Sequence, residues 1–257
     1  MIFYFSGCGN SRFVAENMAE RLNETLLFIP EEAHKKTTYY LKQDESLGFV
    51  FPVYAWAPPN LVSEFILGLK IVGKPSYTYI VCTYGDECGK TREILTGTMK
   101  KAGLVMDAFF GVQMPETYIN LPGFKLDTIE NEKKKIKAAQ QLLPSICSRI
   151  ENREKDINEM TIGPLPILKS YILKPLFYAT LISDKPFKVE ENCTGCGTCA
   201  KSCSFDNIKL VNGRPQWQHS CVGCMSCYHH CPTNSIHFGN ATIGKGQYYF
   251  GRNKKQY

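Results

Sequence analysis

Ile2-Phe3-Tyr4-Phe5-Ser6-Gly7-Cys8-Gly9-Asn10-Ser11-Arg12-Phe13-Val14 opens the chain with a short apolar run, a tight polar loop and the start of a periodic segment. Ile2 to Phe5 predicts a buried strand, and Phe13, Val14, Met18 and Leu22 recur at helical spacing. Strand, glycine loop and helix make a phosphate-binding arrangement. Glycines let backbone amides approach an anion, the hydroxyls of Ser6 and Ser11 can donate to it, and the helix N-terminus adds partial positive charge. The loop is not the dinucleotide fingerprint, because Gly7-Cys8-Gly9-Asn10-Ser11-Arg12 lacks the last glycine of G-x-G-x-x-G. Gly85-Asp86-Glu87-Cys88-Gly89-Lys90-Thr91 is likewise no P-loop, with three residues between its glycines where four are required.

Further strands are predicted at residues 47–51, 77–83 and 104–112, separated by helices near 60–70 and 91–102. Strands alternating with helices imply an α/β doubly wound parallel sheet whose ligands bind at the carboxyl ends of its strands. Two loops leave those ends with aromatic residues, Pro52-Val53-Tyr54-Ala55-Trp56-Ala57-Pro58 and Thr83-Tyr84-Gly85-Asp86, and a flat ring fits between them. Residues 1–120 thus resemble the flavodoxin family. The resemblance implies that Ser6, Gly7, Cys8, Gly9, Asn10 and Ser11 hold the phosphate of FMN. Tyr54, Ala55, Trp56, Thr83, Tyr84 and Gly85 would surround its ring. Cys8 stands where the family commonly has threonine, at the cost of one hydroxyl donor. Plain core packing is the alternative reading of Trp56 and Tyr84. For Met114-Pro115-Glu116-Thr117-Tyr118-Ile119 the sequence does not distinguish pocket closure from an ordinary loop.

Cysteine usage defines the other end of the chain. Of twelve cysteines, eight fall between Cys193 and Cys231. Cys193, Cys196, Cys199 and Cys203 form C-x2-C-x2-C-x3-C, and Cys221, Cys224, Cys227 and Cys231 repeat it before Pro232, the spacing of bacterial 4Fe-4S ligand runs. A pair of zinc sites is the competing reading, but two C-x2-C pairs complete a zinc site and leave each third cysteine spare. Gly195, Gly197 and Gly223 suit a chain folded tightly around a cluster. Residues 186–240 closely resemble two-cluster ferredoxins, with Ser204 where a proline often follows the fourth cysteine. The resemblance implies crossed ligation. Cys193, Cys196, Cys199 and Cys231 would hold one 4Fe-4S cluster, and Cys203, Cys221, Cys224 and Cys227 the other.

Between these ends lies a charged helical stretch, 127–160, whose Lys133-Lys134-Lys135-Ile136-Lys137 run reads as a solvated face. Ile162 to Ile182 is apolar but broken by Pro164, Pro166, Lys169, Lys174 and Pro175. It predicts a kinked segment packed between domains rather than a membrane span, with a membrane-surface role as the lesser reading. The expected division is 1–124 for the flavodoxin-like domain, 125–185 for a helical connector and 186–257 for the ferredoxin domain. Cys82, Cys88 and Cys147 read as buried side chains, His229 and His230 are assigned no metal, and the tail 252–257 as a frayed or docking terminus.

At 257 residues and 44% hydrophobic the chain has room for one large domain and one small. No apolar stretch reaches ~18 residues and the N-terminus lacks the basic flank of a signal peptide, so a cytoplasmic location is expected. The formal charge is +6, and residues 187–257 alone carry eight Lys/Arg against three Asp/Glu. That excess balances the roughly four negative charges of two oxidised clusters with their thiolates, so it does not argue for nucleic acid. The whole arrangement resembles the flavodoxin-ferredoxin fusion proteins of anaerobes. It implies an electron carrier that links a partner reductase to an acceptor through FMN and two clusters, with no acid, base or nucleophile required. The alternative is an FMN-dependent reductase of a small molecule fed by the clusters, with Tyr118 or Tyr84 as proton donor. A redox sensor ranks last, for want of a DNA-reading element.

Overall fold

The computed structural model describes residues 1–35, 37–121 and 123–252. Residues 253–257, most of the tail read as a frayed or docking terminus, lie outside the described residues.

Six parallel strands form the central sheet: β1 (Ile2–Tyr4), β2 (Leu26–Phe28), β3 (Ser46–Pro52), β4 (Tyr77–Tyr84), β5 (Ala108–Gln113) and β6 (Ile157–Glu159). Their order is β2-β1-β3-β4-β5-β6. The first five follow the flavodoxin-like order 2-1-3-4-5, whose topological switch point lies between β1 and β3. Side chains alternate between two buried faces. Ile2, Val50, Tyr79, Val81 and Phe110 pack on one side against helices α1 (Asn10–Leu22) and, later in the chain, α5 (Ile129–Glu151). Phe3, Phe49, Phe51, Ile80, Cys82 and Phe109 pack on the other against α3 (Asn60–Gly68) and α4 (Thr91–Lys101), while α2 (Ile29–Lys35) follows β2 at the sheet edge. A two-stranded parallel pair, Thr38–Tyr40 with Lys70–Val72, stands apart from the main sheet.

The expected strand over 104–112 begins at Ala108, residues 104–107 being loop. Within the stretch read as a connector, residues 129–159 pack with the sheet unit. Ile136, Ala139, Leu143, Ile146 and Ile150 of α5 recur every three or four residues and are buried against the sheet, while Lys133, Lys134 and Lys137 face outward. Each of the four isoleucine and leucine side chains among them contributes about 1.5–3 kcal/mol by leaving water. After α5 the chain returns as β6, paired with β5.

A six-residue π-helical turn, Leu168–Leu173, runs into α6 (Lys174–Leu181). Its inner side is polar: Ser170 Oγ donates to Trp56 O (2.8 Å) and accepts from Lys90 N (2.8 Å), and Tyr178 Oη accepts from Asn60 N (3.0 Å). Its outer side leaves Leu165, Ile167, Ile172 and Leu176 exposed. Among the described residues no helix is long and apolar enough to cross a membrane.

The small C-terminal unit consists of two antiparallel pairs, β7 (Phe187–Val189) with β10 (Ile236–Phe238) and β8 (Ile208–Val211) with β9 (Arg214–Trp217). The one-turn helices α7 (Thr198–Lys201) and α8 (Ser226–His229) each follow a cysteine loop. The segment after β10 crosses back to the sheet unit. Phe250 N donates to Cys8 O (2.8 Å), Tyr248 Oη donates to Asn10 Oδ1 (2.8 Å), and the Phe250 ring stacks on Phe13 at 4.3 Å.

Candidate functional site

A cavity of about 470 Å³ opens where the loops leave the carboxyl ends of β1, β3 and β4, within the size range of small-molecule and cofactor sites. Eleven of the twelve residues expected around FMN line it: Ser6, Gly7, Cys8, Asn10, Ser11, Tyr54, Ala55, Trp56, Thr83, Tyr84 and Gly85. The twelfth, Gly9, stands behind the loop with φ 93° and faces Phe250. It caps α1 without a side-chain hydrogen bond, and the first turn holds no acidic residue. Such a helix start presents amides and partial positive charge to an anion, which fits a phosphate.

The loop side chains are mostly engaged with the protein. Ser6 Oγ accepts from Gly9 N (3.1 Å), Ser11 Oγ pairs with Thr83 Oγ1 (2.8 Å), and Asn10 Nδ2 donates to Pro115 O (2.9 Å). Ser11 and Asn10 therefore set the shape of the loop, so a phosphate there would depend mainly on backbone amides. Cys8, in the place of the usual threonine, turns its thiol to Cys224 O (3.5 Å), and burial pushes that thiol well above its ordinary pKa.

The walls for a flat ring are built with backbone strain. Tyr54 and Ala57 exchange backbone hydrogen bonds around Ala55 (φ 47°) and Trp56 (φ 59°), a turn that ordinarily calls for glycine or asparagine. Such conformations cost of order 1–3 kcal/mol each and concentrate at functional sites. The turn presents Trp56, whose Nε1 donates to Glu87 Oε1 (2.6 Å); Glu87 also pairs with Lys169. On the facing loop Tyr84 Oη meets Thr161 Oγ1 (3.1 Å). Both aromatics border the cavity while partly exposed, and Tyr84 also packs against the core.

Of the rest of the lining, residues 114–118 are those for which the sequence leaves pocket closure and an ordinary loop open, whereas nothing in the sequence points to Leu121, Phe124, Lys169 or Phe177. Met114, Pro115, Glu116, Thr117 and Tyr118 form one wall, with Leu121 and Phe124, and Lys169 and Phe177 reach in from the π-turn and α6. Glu116 accepts from Thr117 N (2.8 Å) and Tyr118 N (2.7 Å), and burial raises its pKa despite those bonds. Asp127 fixes the same segment by accepting from Glu116 N (2.8 Å) and from Lys135 Nζ (2.8 Å). No motif of the resemblance falls on residues 114–124, and nothing in their composition separates them from a loop.

The eight clustered cysteines gather around two small hollows. Cys193, Cys196, Cys199 and Cys231 line one, with Gly195, Gly197 and Pro232; Cys203, Cys221, Cys224 and Cys227 line the other. The fourth cysteine of each run thus stands with the first three of the other run. Gly195, Gly197 and Gly223 all take positive φ, between 68° and 76°. Among the described residues no three His, Cys, Asp or Glu come close enough to bind a single ion. A cubane cluster spreads its four thiolates wider than one metal ion does, and two sets of four thiols suit it. Burial holds the Cys221 thiol up at about 11 and the Cys224 thiol at about 12, so ligation there displaces protons.

Cys224 borders both its hollow and the large cavity. A Cβ at Gly7 would lie 2.8 Å from Cys224 Cβ and 2.9 Å from Cys224 O, so only glycine lets the cysteine loop seat against the phosphate loop. Phe5 and Phe205 meet edge to face at 6.1 Å across the same boundary. Cys196 in the other hollow is exposed. His229, inside the second run, is buried with both nitrogens engaged: Nε2 with Thr117 O (2.9 Å) and Nδ1 as acceptor from Tyr248 N (3.2 Å). His230 stacks on Tyr249 at 4.2 Å.

A family model described as a 4Fe-4S dicluster domain matches residues 192–236. None of the curated proteins matches the chain. Similar solved structures include the Trp repressor binding protein from Bacillus subtilis, at 13% identity and a TM-score of 0.34, over 56% of this chain and 97% of that one. Another is an FMN-dependent NADH-azoreductase from Bacillus anthracis in complex with FMN, at 10% identity and a TM-score of 0.35, over 58% of this chain and 98% of that one. The fold assignment rests on the strand order, which does not depend on these likenesses.

Proposed function

We propose that the chain is an electron-transfer flavo-iron-sulfur protein that links a partner reductase to an acceptor. Cys193, Cys196, Cys199 and Cys231 would hold one 4Fe-4S cluster, and Cys203, Cys221, Cys224 and Cys227 a second. FMN would occupy the large cavity, its phosphate on the first turn of α1 and its ring between the Tyr54–Trp56 turn and the Thr83–Gly85 loop. Clusters exchange single electrons and a flavin accepts one or two, so the pair converts between the two currencies. In domain terms, residues 1–159 form the FMN unit, 160–185 a bridging segment and 186–252 the cluster unit, acting in the cytoplasm.

The observation that carries this reading is Cys224, a cluster ligand in the proposed set and also part of the cavity wall. The protein's own work is positional. Gly7 admits the cysteine loop, the Phe5–Phe205 contact fills the seam, and the C-terminal segment fastens the cluster unit to Cys8 and Asn10. Exposed Cys196 gives the outer cluster site an edge toward a redox partner protein.

Anaerobically reduced protein mixed with ferricyanide and with cytochrome c tests the reading. A carrier is oxidised by both at rates linear in acceptor concentration; failure to react with either would refute it. Saturation by one small molecule would favour a second reading, an FMN-dependent reductase fed by the clusters, which draws on the lining beyond the expected FMN contacts.

A further inference from the structure

Among the described lining residues of the cavity the acidic ones are Asp86, Glu87 and Glu116, and they differ in what surrounds them. Asp86 is exposed to water, and Glu87 is paired with Lys169 and accepts from Trp56 Nε1. Glu116, in the loop after β5, is partly buried and forms no ion pair among the described residues. Its Oε1 accepts from Thr117 N (2.8 Å) and Tyr118 N (2.7 Å). Its Oε2 has no hydrogen-bond partner among the described residues and, unlike the Tyr118 hydroxyl, is not sealed from solvent. That oxygen lies against Gly85, another residue of the cavity wall, in the space a Cβ at Gly85 would fill.

The charged groups around this carboxyl leave it without a direct counter-ion. Asp86 adds a like charge from the loop after β4, and Lys135 of α5 directs its Nζ to Asp127 (2.8 Å) and to Gly85 O (3.1 Å). Lys169 is neutralised by Glu87, and burial raises the Tyr84 and Tyr118 phenols, so neither carries charge. Behind the loop, His229 engages Thr117 O and is held neutral by burial. For Glu116 itself burial raises the pKa, its two amide donors lower it, Asp86 raises it and Lys135 lowers it, with burial prevailing. A second negative charge arriving in the same cavity pushes such a carboxyl further toward its protonated form.

We infer that Glu116 is the proton-accepting group of the cavity: its carboxylate takes a proton from water when the flavin there is reduced, and returns it on reoxidation. The inference rests on FMN occupying the cavity, and it adds to that reading the group that couples its electrons to protons. Two electrons from the clusters and one proton reduce the ring and leave it with one negative charge. Glu116 offsets that charge with one further proton at Oε2, so two electrons and two protons enter together. The only bonds formed are an N–H on the ring and the O–H of the carboxyl. The carboxyl is held for this task from both sides, by the two amides on Oε1 and by a Gly85 loop that Gln113 Nε2 (2.8 Å) and Lys135 Nζ bind through Gly85 O.

Infrared difference spectra of full-length protein, loaded with clusters and FMN and reduced electrochemically at stepped pH, test this without turnover. On reduction the wild-type protein is expected to gain the C=O band of a protonated carboxylic acid, shifted by 13C-glutamate labelling and absent from Glu116→Gln. Gln matches Glu in size and still accepts from the Thr117 and Tyr118 amides, so the variant keeps the loop. In the same cell, the flavin midpoint is expected to fall with pH more steeply in the wild type than in Glu116→Gln. The difference expected is up to about tenfold in the reduction equilibrium per pH unit, about 30 mV for one proton per two electrons. No such band in the wild type, a band that survives in Glu116→Gln, equal slopes in the two proteins, or a Glu116→Gln protein that no longer holds FMN would each overturn the inference. The last would make Glu116 a residue that holds the flavin. Wild-type protein that binds no FMN defeats the underlying reading instead, and flavin content measured in parallel identifies that case.

Discussion

Gly7 and His229 are the two residues on which the joint between the units turns. At Gly7 an added methyl group would meet Cys224 Cβ at 2.8 Å and its carbonyl oxygen at 2.9 Å, neither of them the end of a flexible side chain. Gly7→Ala is therefore expected to cost about 1–3 kcal/mol, the usual range for overpacking, read as a lower denaturant midpoint. His229 is buried and neutral, its pKa pushed down to about 4 chiefly by burial. Unfolded, it titrates near 6.5, so between 6.5 and 4 the unfolded chain binds the extra proton and stability falls as pH falls. The loss is about 2 kcal/mol between pH 6.5 and pH 5. His229→Gln is expected to flatten that part of the stability-pH curve, measured by denaturation at stepped pH; an unchanged slope would assign the acid sensitivity to other groups.

At the scale of elements, the cysteine runs and the first strand-loop-helix were legible because their chemistry depends on local spacing. C-x2-C-x2-C-x3-C needs no tertiary information, and Ser6 to Ser11 announces its turn through its glycines. Sequence reading lost β2 and β6 because each is a three-residue strand without room for a pattern. It placed α5 in a connector because the lysine run from Lys133 to Lys137 masked the stripe Ile136, Ala139, Leu143, Ile146 and Ile150, which was present all along. Phe177 could not be found that way, because it joins the cavity wall only when α6 packs beside the loop after β5. The same logic makes the crossed hollows testable. Cys203→Ala is expected to abolish the cluster proposed for Cys221, Cys224 and Cys227, leaving about four iron per chain and one set of cluster signals in low-temperature electron paramagnetic resonance. Loss of the site that includes Cys193, Cys196 and Cys199 instead would overturn the crossed assignment.

For the whole molecule, the separation between a carrier and a reductase comes down to what the cavity admits once the clusters and FMN are in place. The chain closes on itself: the cluster unit grips the phosphate loop through Phe250 and Tyr248, and the 115–118 segment is pinned by His229 from the same unit. The proposed flavin and cluster sites are thereby held by one set of contacts, with Cys224 at their boundary. The most direct test of that account is the iron, acid-labile sulfide and flavin content of anaerobically purified protein, read beside its absorption spectrum. The account predicts about eight iron, about eight sulfide and about one FMN per chain. About eight iron with no flavin, even after incubation with FMN, would contradict it and leave a two-cluster protein on an α/β domain with some other use.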